Sequence, residues 1–275
     1  MQPVNLGIRI LATMEMRPEN FAESGRRVPA AGRYGIRRRS DALIQFIALA
    51  GLPLMSCAAD GPWSASIGAT TDYVFRGVSQ TYDSGALQLG ANYQGPQGWF
   101  AGTWASNVDP YPFGATAIEL DLYTGIRRPL GDDVNATVTY THYQYLDDRR
   151  PARYDYDEFA LSASYLDELI ATISYQPDYT VYSDLGFAQR RPSLAYELGG
   201  RWPLPKGFAL VAGAGYYDLH RLFGVRYWAG NAGAQYIYRS VTLDLMRFFA
   251  DSTVSRLYEN ASANGTWVFS AVYRF

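Results

Sequence analysis

Two histidines could serve as bases in this chain. His142 sits in YTHYQYLDD, just ahead of Asp147 and Asp148, and His220 sits in YYDLHRLFG beside Asp218. A histidine near a carboxylate is half of a nucleophile-activating arrangement, and the other half is a hydroxyl or thiol within reach. No GxSxG and no HExxH occurs. A histidine beside an aspartate without such a partner reads as a solvated loop residue, so the chain is not expected to be an enzyme and no catalytic residue is assigned. The carboxylates Asp155, Asp157 and Glu158 could offer oxygen ligands to Ca²⁺, but their spacing fits no known calcium loop. Cys57 is the only cysteine, which excludes a disulfide framework and a cysteine metal site. No metal or other cofactor is expected.

A second set of charged residues is more informative, because each sits inside an otherwise regular alternation. Asp72, Arg76, Glu119, Asp121, Glu197, Arg201, Asp244 and Arg274 fall on the polar side of period-two stretches. Glu119 and Asp121 are two apart, so on a strand they share a face, and so do Asp72 and Arg76, four apart. Charges of both signs facing a narrow interior would form an ion-pair network or set charge selectivity, or merely neutralise one another and fill space. Arg76–Gly77 also reads as a strand end with room for a bulge.

The elements that would position these residues are strands. WSASIGATTDYVF puts Trp63, Ala65, Ile67, Ala69, Thr71, Tyr73 and Phe75 on one face. IELDLYTG sets Ile118, Leu120 and Leu122 against Glu119, Asp121 and Tyr123, and VTLDL sets Val241, Leu243 and Leu245 against Thr242 and Asp244. About twelve such runs follow residue 60, with no helical period of useful length. The closing NGTWVFSAVYRF has the same form, with Trp267, Phe269, Ala271, Tyr273 and Phe275 on its oily side and Arg274 between.

The connections alternate in length. QGPQG, RRPLGDD, LDE, PLPKG and YRS are short or intermediate. RGVSQTYDSG, NVDPYPFGAT, LDDRRPARYDYD, PDYTVYSDLGFAQRRP, DLHRLFGVR and DSTVSRLYENASANG are long. Short and long turns alternating over an even number of strands is the pattern of a transmembrane β-barrel. The oily faces are aliphatic, with Tyr and Trp towards their ends, as suits a water–lipid boundary. The expected fold is therefore all-β: a transmembrane antiparallel up-and-down β-barrel of about 12 strands, with a range of 10–14. A soluble β-sandwich or lipocalin-like barrel also alternates, with its oily face turned inward.

Composition agrees. Of 275 residues, 15% are aromatic, 23 of them Tyr, and 18% are charged, below the roughly 25% of soluble domains. Lys206 is the sole lysine. The charge is not basic enough for nucleic acid. Residues 1–59 stand apart: Arg37–Arg39 precede a roughly 14-residue apolar run, Ala42 to Met55, and then small residues, the layout of a secretory signal. Cleavage after Ala58 or Ala59 fits the small-x-small rule; a buried helix is the plainer alternative, and LMSC loosely matches a lipidation box at Cys57. The expected organisation is an N-terminal extension plus signal over 1–59 and a barrel over 60–275. Eight of the 24 basic and four of the 26 acidic residues lie in 1–59, so the mature chain keeps 16 and 22, a formal net of −6.

Three blocks carry a resemblance. TTDYVFRGVSQT (70–81), GTWASNVD (102–109) and ELDLYTG (119–125) resemble, in order and spacing, the TorF family of outer-membrane porins, also catalogued as a conserved hypothetical outer-membrane family. The likeness extends over about 62–275 and is motif-dense up to about 125. It implies an outer-membrane barrel of a Gram-negative bacterium; the signal read in residues 1–59, through which the chain would be exported, lies outside the likeness. The final run resembles the terminal strand read by the barrel assembly machinery, which makes Phe275 and Tyr273 a candidate assembly signal.

The function expected is a channel for diffusion of small solutes or ions. The alternatives are a closed outer-membrane barrel with a binding, anchoring or enzymatic role, and a soluble periplasmic all-β protein. Expected partners are outer-membrane lipid and lipopolysaccharide, the barrel assembly machinery and small solutes, with no nucleic acid. Arg149, Arg150, Arg153, Arg190, Arg191, Arg221 and Arg226 are candidates to meet lipopolysaccharide phosphates, since the guanidinium forks onto phosphate.

Overall fold

The computed structural model describes residues 61–109, 117–146, 155–182, 188–257 and 265–275. All of them fall in one compact unit. The extension, the proposed signal, Cys57, Asp147, Asp148, Arg149, Arg150 and Arg153 lie outside the described residues.

Twelve strands close into an antiparallel barrel: β1 (Trp63–Thr70), then, after the short β2 (Val74–Phe75) and β3 (Val78–Ser79), β4 (Ala86–Gln94), β5 (Trp99–Val108), β6 (Ala117–Pro129), β7 (Val134–Leu146), β8 (Tyr156–Tyr165), β9 (Leu169–Tyr182), β10 (Ala188–Pro203), β11 (Phe208–Leu219), β12 (Val225–Tyr238), β13 (Val241–Ala250) and β14 (Thr266–Arg274). Each barrel strand pairs with its sequence neighbours. The ring closes where β14 meets β1, with Ser66 opposite Arg274 and Thr70 opposite Ser270. Beyond the last pair, the Phe275 N–H donates to the Ala65 carbonyl at 2.9 Å. Closure leaves the barrel without an edge strand among the described residues.

The polarity is inverted relative to a water-soluble barrel. Outward positions hold Ile67, Leu89, Leu122, Val138, Leu161, Ile173, Leu198, Leu210 and Leu245, all exposed. Exposed aromatics ring this aliphatic belt at both ends. Trp63, Trp99, Tyr165, Trp202, Phe208 and Tyr238 stand at the short-turn end, and Tyr216, Trp228 and Trp267 towards the long-loop end. Buried positions are rich in Ser, Thr, Asn, Gln and charge. Such an exterior matches hydrocarbon between two interfaces.

Two of the short turns share one device. Pro96-Gln97-Gly98 and Pro205-Lys206-Gly207 each place Pro first and then two residues at positive φ. Proline presets the first φ and the following glycine accepts the left-handed geometry.

Two expected boundaries differ. The stretch 177–192 is not one long loop: β9 runs through Pro177 to Tyr182 and β10 resumes at Ala188. The ladder tolerates Pro192 because the register shifts between Arg191 and Ser193, a bulge that spares the missing N–H. The first strand also ends at Thr70 rather than continuing to Phe75. Tyr73 is buried rather than outward, because the chain leaves the wall there and turns into the barrel.

A hairpin inside the barrel

The departure is local chemistry. Thr70 Oγ1 donates to the Asp72 carbonyl at 2.8 Å, and the Thr71 N–H still reaches Phe269 at 2.9 Å. Asp72 Oδ1 then accepts from Ser79 Oγ at 2.6 Å and Thr81 Oγ1 at 2.9 Å. Thr81 Oγ1 in turn accepts from the Tyr73 N–H at 3.1 Å. The carboxylate thereby staples the two legs of a hairpin whose rungs are Val74 opposite Ser79 and Phe75 opposite Val78. The turn is Arg76-Gly77, with φ 51° and 79°. A two-residue turn with both φ positive is the type whose twist matches antiparallel strands. Asp72 and Arg76 therefore do not share the face of one strand. Asp72 anchors the base of a hairpin and Arg76 is its tip.

Most of the hairpin from Asp72 to Ser79 is buried, with Phe75 partly so. Tyr73 packs with Phe100, Trp104 and Tyr123; Val74 with Val211, Met246 and Phe248; and Val78 with Tyr217, Tyr227, Ala229 and Val254. Three separate apolar clusters thus each contain one of its residues. Gly77 fits so closely that a Cβ there would lie 2.5 Å from Ala229 Cβ.

The tip meets the far wall. Arg76 Nη2 is 2.8 Å from Glu158 Oε2 on β8, and its Nε is 3.5 Å from Glu197 Oε1 on β10. In the closed ring, β9 and β10 lie opposite the β1–β4 seam from which the hairpin departs, so the segment crosses the barrel. The guanidinium lies over the rings of Phe75 and Tyr217, and Tyr217 donates to Glu197 at 3.1 Å. Glu158 accepts from Gln176, whose amide oxygen accepts from Ser193. Tyr227 donates to the Arg76 carbonyl at 3.2 Å.

The other charged positions form two further groups. Glu119 and Asp121 are buried on β6; Glu119 Oε1 accepts from the Tyr73 phenol at 3.3 Å. Nearer the short-turn end, Arg201 Nε donates to Gln235 Oε1 at 2.8 Å, Gln235 donates to Asp244 at 2.9 Å, and Arg274 donates to Thr242 at 2.8 Å. Sequence reasoning placed Glu158 with a calcium group and missed its part here. The three acids separate: Glu158 is buried under Arg76, Asp155 accepts from the Tyr145 N–H at 3.0 Å, and Asp157 is part-exposed beside His142. Among the described residues no group of three acidic, His or Cys side chains converges as metal ligands would.

His142 is half-buried on the outward side of β7. Its Nδ1 is 2.9 Å from Asp157 Oδ1, which also accepts from Tyr140 at 2.8 Å. His220 is exposed in α1 (His220–Phe223), where its backbone N–H, not its ring, bonds Asp218. Arg190 and Arg226 are exposed and paired with Asp178 and Asp218 at 3.1 and 3.0 Å. Arg191 and Arg221 are exposed.

Fold and site define a closed twelve-stranded barrel with an apolar exterior and a hairpin across its interior. The chain matches, over residues 56–268, the family described as "Bacterial protein of unknown function (Gcw_chp)", and belongs to it. Among curated proteins no sequence relative matches. Of solved structures, the NanC porin is similar at 10% identity and TM-score 0.50, over 77% of this chain and 98% of that one. The KdgM porin is similar at 8% and TM-score 0.49, over 77% and 99%. The translocator domain of the autotransporter NalP from Neisseria meningitidis is similar at 15% and TM-score 0.41, over 79% and 90%.

Proposed function

We propose that the protein is an outer-membrane channel of the TorF type, exported through a signal peptide within residues 1–59, which passes small solutes or ions through a lumen narrowed by the 71–85 hairpin. The observation that carries this reading is the pairing of an apolar, aromatic-ringed exterior with a polar interior. A hydrophobic outer face and hydrophilic inner face suit a barrel that lies in lipid and holds water. Asp72, Arg76, Glu119, Asp121, Glu197, Arg201, Asp244 and Arg274 then line or fill the passage. Lipid and lipopolysaccharide meet the outer face, and the assembly machinery reads the terminal strand.

The crossing hairpin favours a second reading, a closed barrel that binds or anchors. The two readings differ in one measurement. Purified folded protein is inserted in planar bilayers and compared with a variant in which residues 73–80 are replaced by a short Gly-Ser link. A channel gives steps in the wild type that grow at least about twofold in the variant. Silence in both, with correct folding, removes the channel. Extraction without detergent would instead support a soluble periplasmic protein.

A further inference from the structure

Arg76 does not neutralise the whole interior. The buried carboxylates of the long-loop side and middle are Asp72, Glu119, Asp121, Glu158 and Glu197, and Arg76 is the buried cation among them. It is committed to Glu158 and Glu197. Among the described residues no basic side chain pairs with the two acids on β6. Asp121 is 0% exposed, yet among the described residues neither of its carboxyl oxygens has a hydrogen-bond partner, and Glu119 Oε2 has none.

A second, independent group points at the same place. Tyr143 stands directly opposite Asp121 in the β6–β7 register. It is also 0% exposed, and its phenol oxygen has no hydrogen-bond partner among the described residues. Its ring is held by stacking on Tyr156 at 4.4 Å and by Phe75 of the hairpin at 6.3 Å. Buried carboxyl oxygens and a buried phenol left without partners, walled by aromatic faces, are costly unless a bound group meets them.

We infer that Glu119, Asp121 and Tyr143 form a binding site for a monovalent cation, an alkali ion or the head of an ammonium group, beside the hairpin. This rests on the channel reading and names its solute class. A cation there gains carboxylate oxygens, a phenol oxygen and aromatic faces. The absence of three converging acidic, His or Cys ligands among the described residues fits a passing monovalent ion better than a divalent ion held in a closed cage.

Two measurements test it on the mature, folded protein. Reversal potentials are taken in a KCl gradient for the wild type and the E119Q/D121N double variant, whose amides keep the side-chain shape. The expected result is cation preference in the wild type, with at least about half of it lost in the variant. Independently, unfolding midpoints in micelles are read in KCl, in methylammonium chloride and in tetraethylammonium chloride at equal ionic strength. Binding to the folded state raises the midpoint. A rise in KCl or in methylammonium over the bulky, N–H-free reference supports the site and tells the two sources apart, provided the double variant loses it. No rise in either salt, or a wild-type channel without cation preference, overturns the inference while leaving the channel intact. A protein that never conducts removes the channel reading, and the micelle measurement still decides the site. Should the double variant fail to fold, the two wild-type results decide alone.

Discussion

Arg76 Nη2 and Glu158 Oε2 stand 2.8 Å apart although 82 residues separate them in sequence. The pair joins the tip of a hairpin leaving β1 to the opposite wall of the barrel. Both side chains are almost fully buried, at 8% and 1% exposed. Removing one member of a buried pair leaves the other charge without compensation, which is why the loss exceeds what the pair contributes when intact.

Arg76→Ala should therefore destabilise the barrel by about 3–5 kcal/mol, measured by denaturant unfolding in micelles. Arg76→Lys should recover only part of this, since a single ammonium cannot fork to Glu158 and Glu197 together. A loss under about 0.5 kcal/mol for the alanine variant, the size of a solvated surface pair, would show that the hairpin tip is not seated as described.

Gly77→Ala probes the same seat without touching charge. The residue has φ 79° and faces Ala229 and Ala250. A left-handed backbone costs an ordinary residue roughly 1–2 kcal/mol, and the added methyl must also push Ala229 aside. Gly77→Ala should lower the unfolding midpoint and increase cleavage of the 71–85 segment by added protease. A variant as resistant as the wild type would refute the close fit.

The barrel was legible because its faces alternate in chemistry. Ile118, Glu119, Leu120 and Asp121 can be assigned to lipid and lumen from side-chain type alone, and the parity of short and long connections fixed an even ring. The hairpin was not legible for a related reason. Thr71-Asp72-Tyr73-Val74-Phe75 continues the alternation of β1, so Tyr73 and Phe75 resemble lipid-facing residues. Inside the barrel both sides of a strand are covered, and alternation loses its meaning. The available signal was Val-Phe-Arg-Gly-Val-Ser, strand-favouring Val-Phe and Val on either side of a two-residue turn ending in glycine. Glu158 was misplaced because its partner comes from a residue far away in sequence, and the register across the lumen that pairs them is not written in local spacing.

Asp251, just past β13, gives a pH prediction. Its burial pushes the carboxyl up, but hydrogen bonds from the Trp228 N–H at 2.7 Å and the Thr253 N–H at 2.6 Å outweigh that and hold it below its usual value. A carboxyl whose folded pKa is depressed stabilises the fold fully above its unfolded pKa of about 3.9 and loses that contribution as pH falls through the folded value. Carboxyl-carbon NMR titration should give Asp251 a midpoint below about 3.9. The Thr253 amide resonance should move with it. A midpoint at or above that value would mean that the two amides do not hold the carboxylate.

Phe275 supplies the last prediction. The residue is 61% exposed and its ring meets Tyr273 edge-on at 4.9 Å. The folded barrel thus gains little packing from the ring itself. Its backbone N–H closes on Ala65, one step past the five registered pairs of β14 with β1. Deleting Phe275 removes one bond among these and an interfacial aromatic, a loss of about 1 kcal/mol for the hydrogen bond. If the residue serves as an assembly signal, the cost in cells should be far larger than that. The expected result is a steep fall in heat-modifiable barrel in outer-membrane fractions, while the same deletion refolded from urea into micelles unfolds near the wild-type midpoint. Equal losses in both settings would assign Phe275 to stability alone. Phe275→Tyr, which keeps an aromatic ring and the backbone bond, separates a requirement for phenylalanine from a requirement for any terminal aromatic.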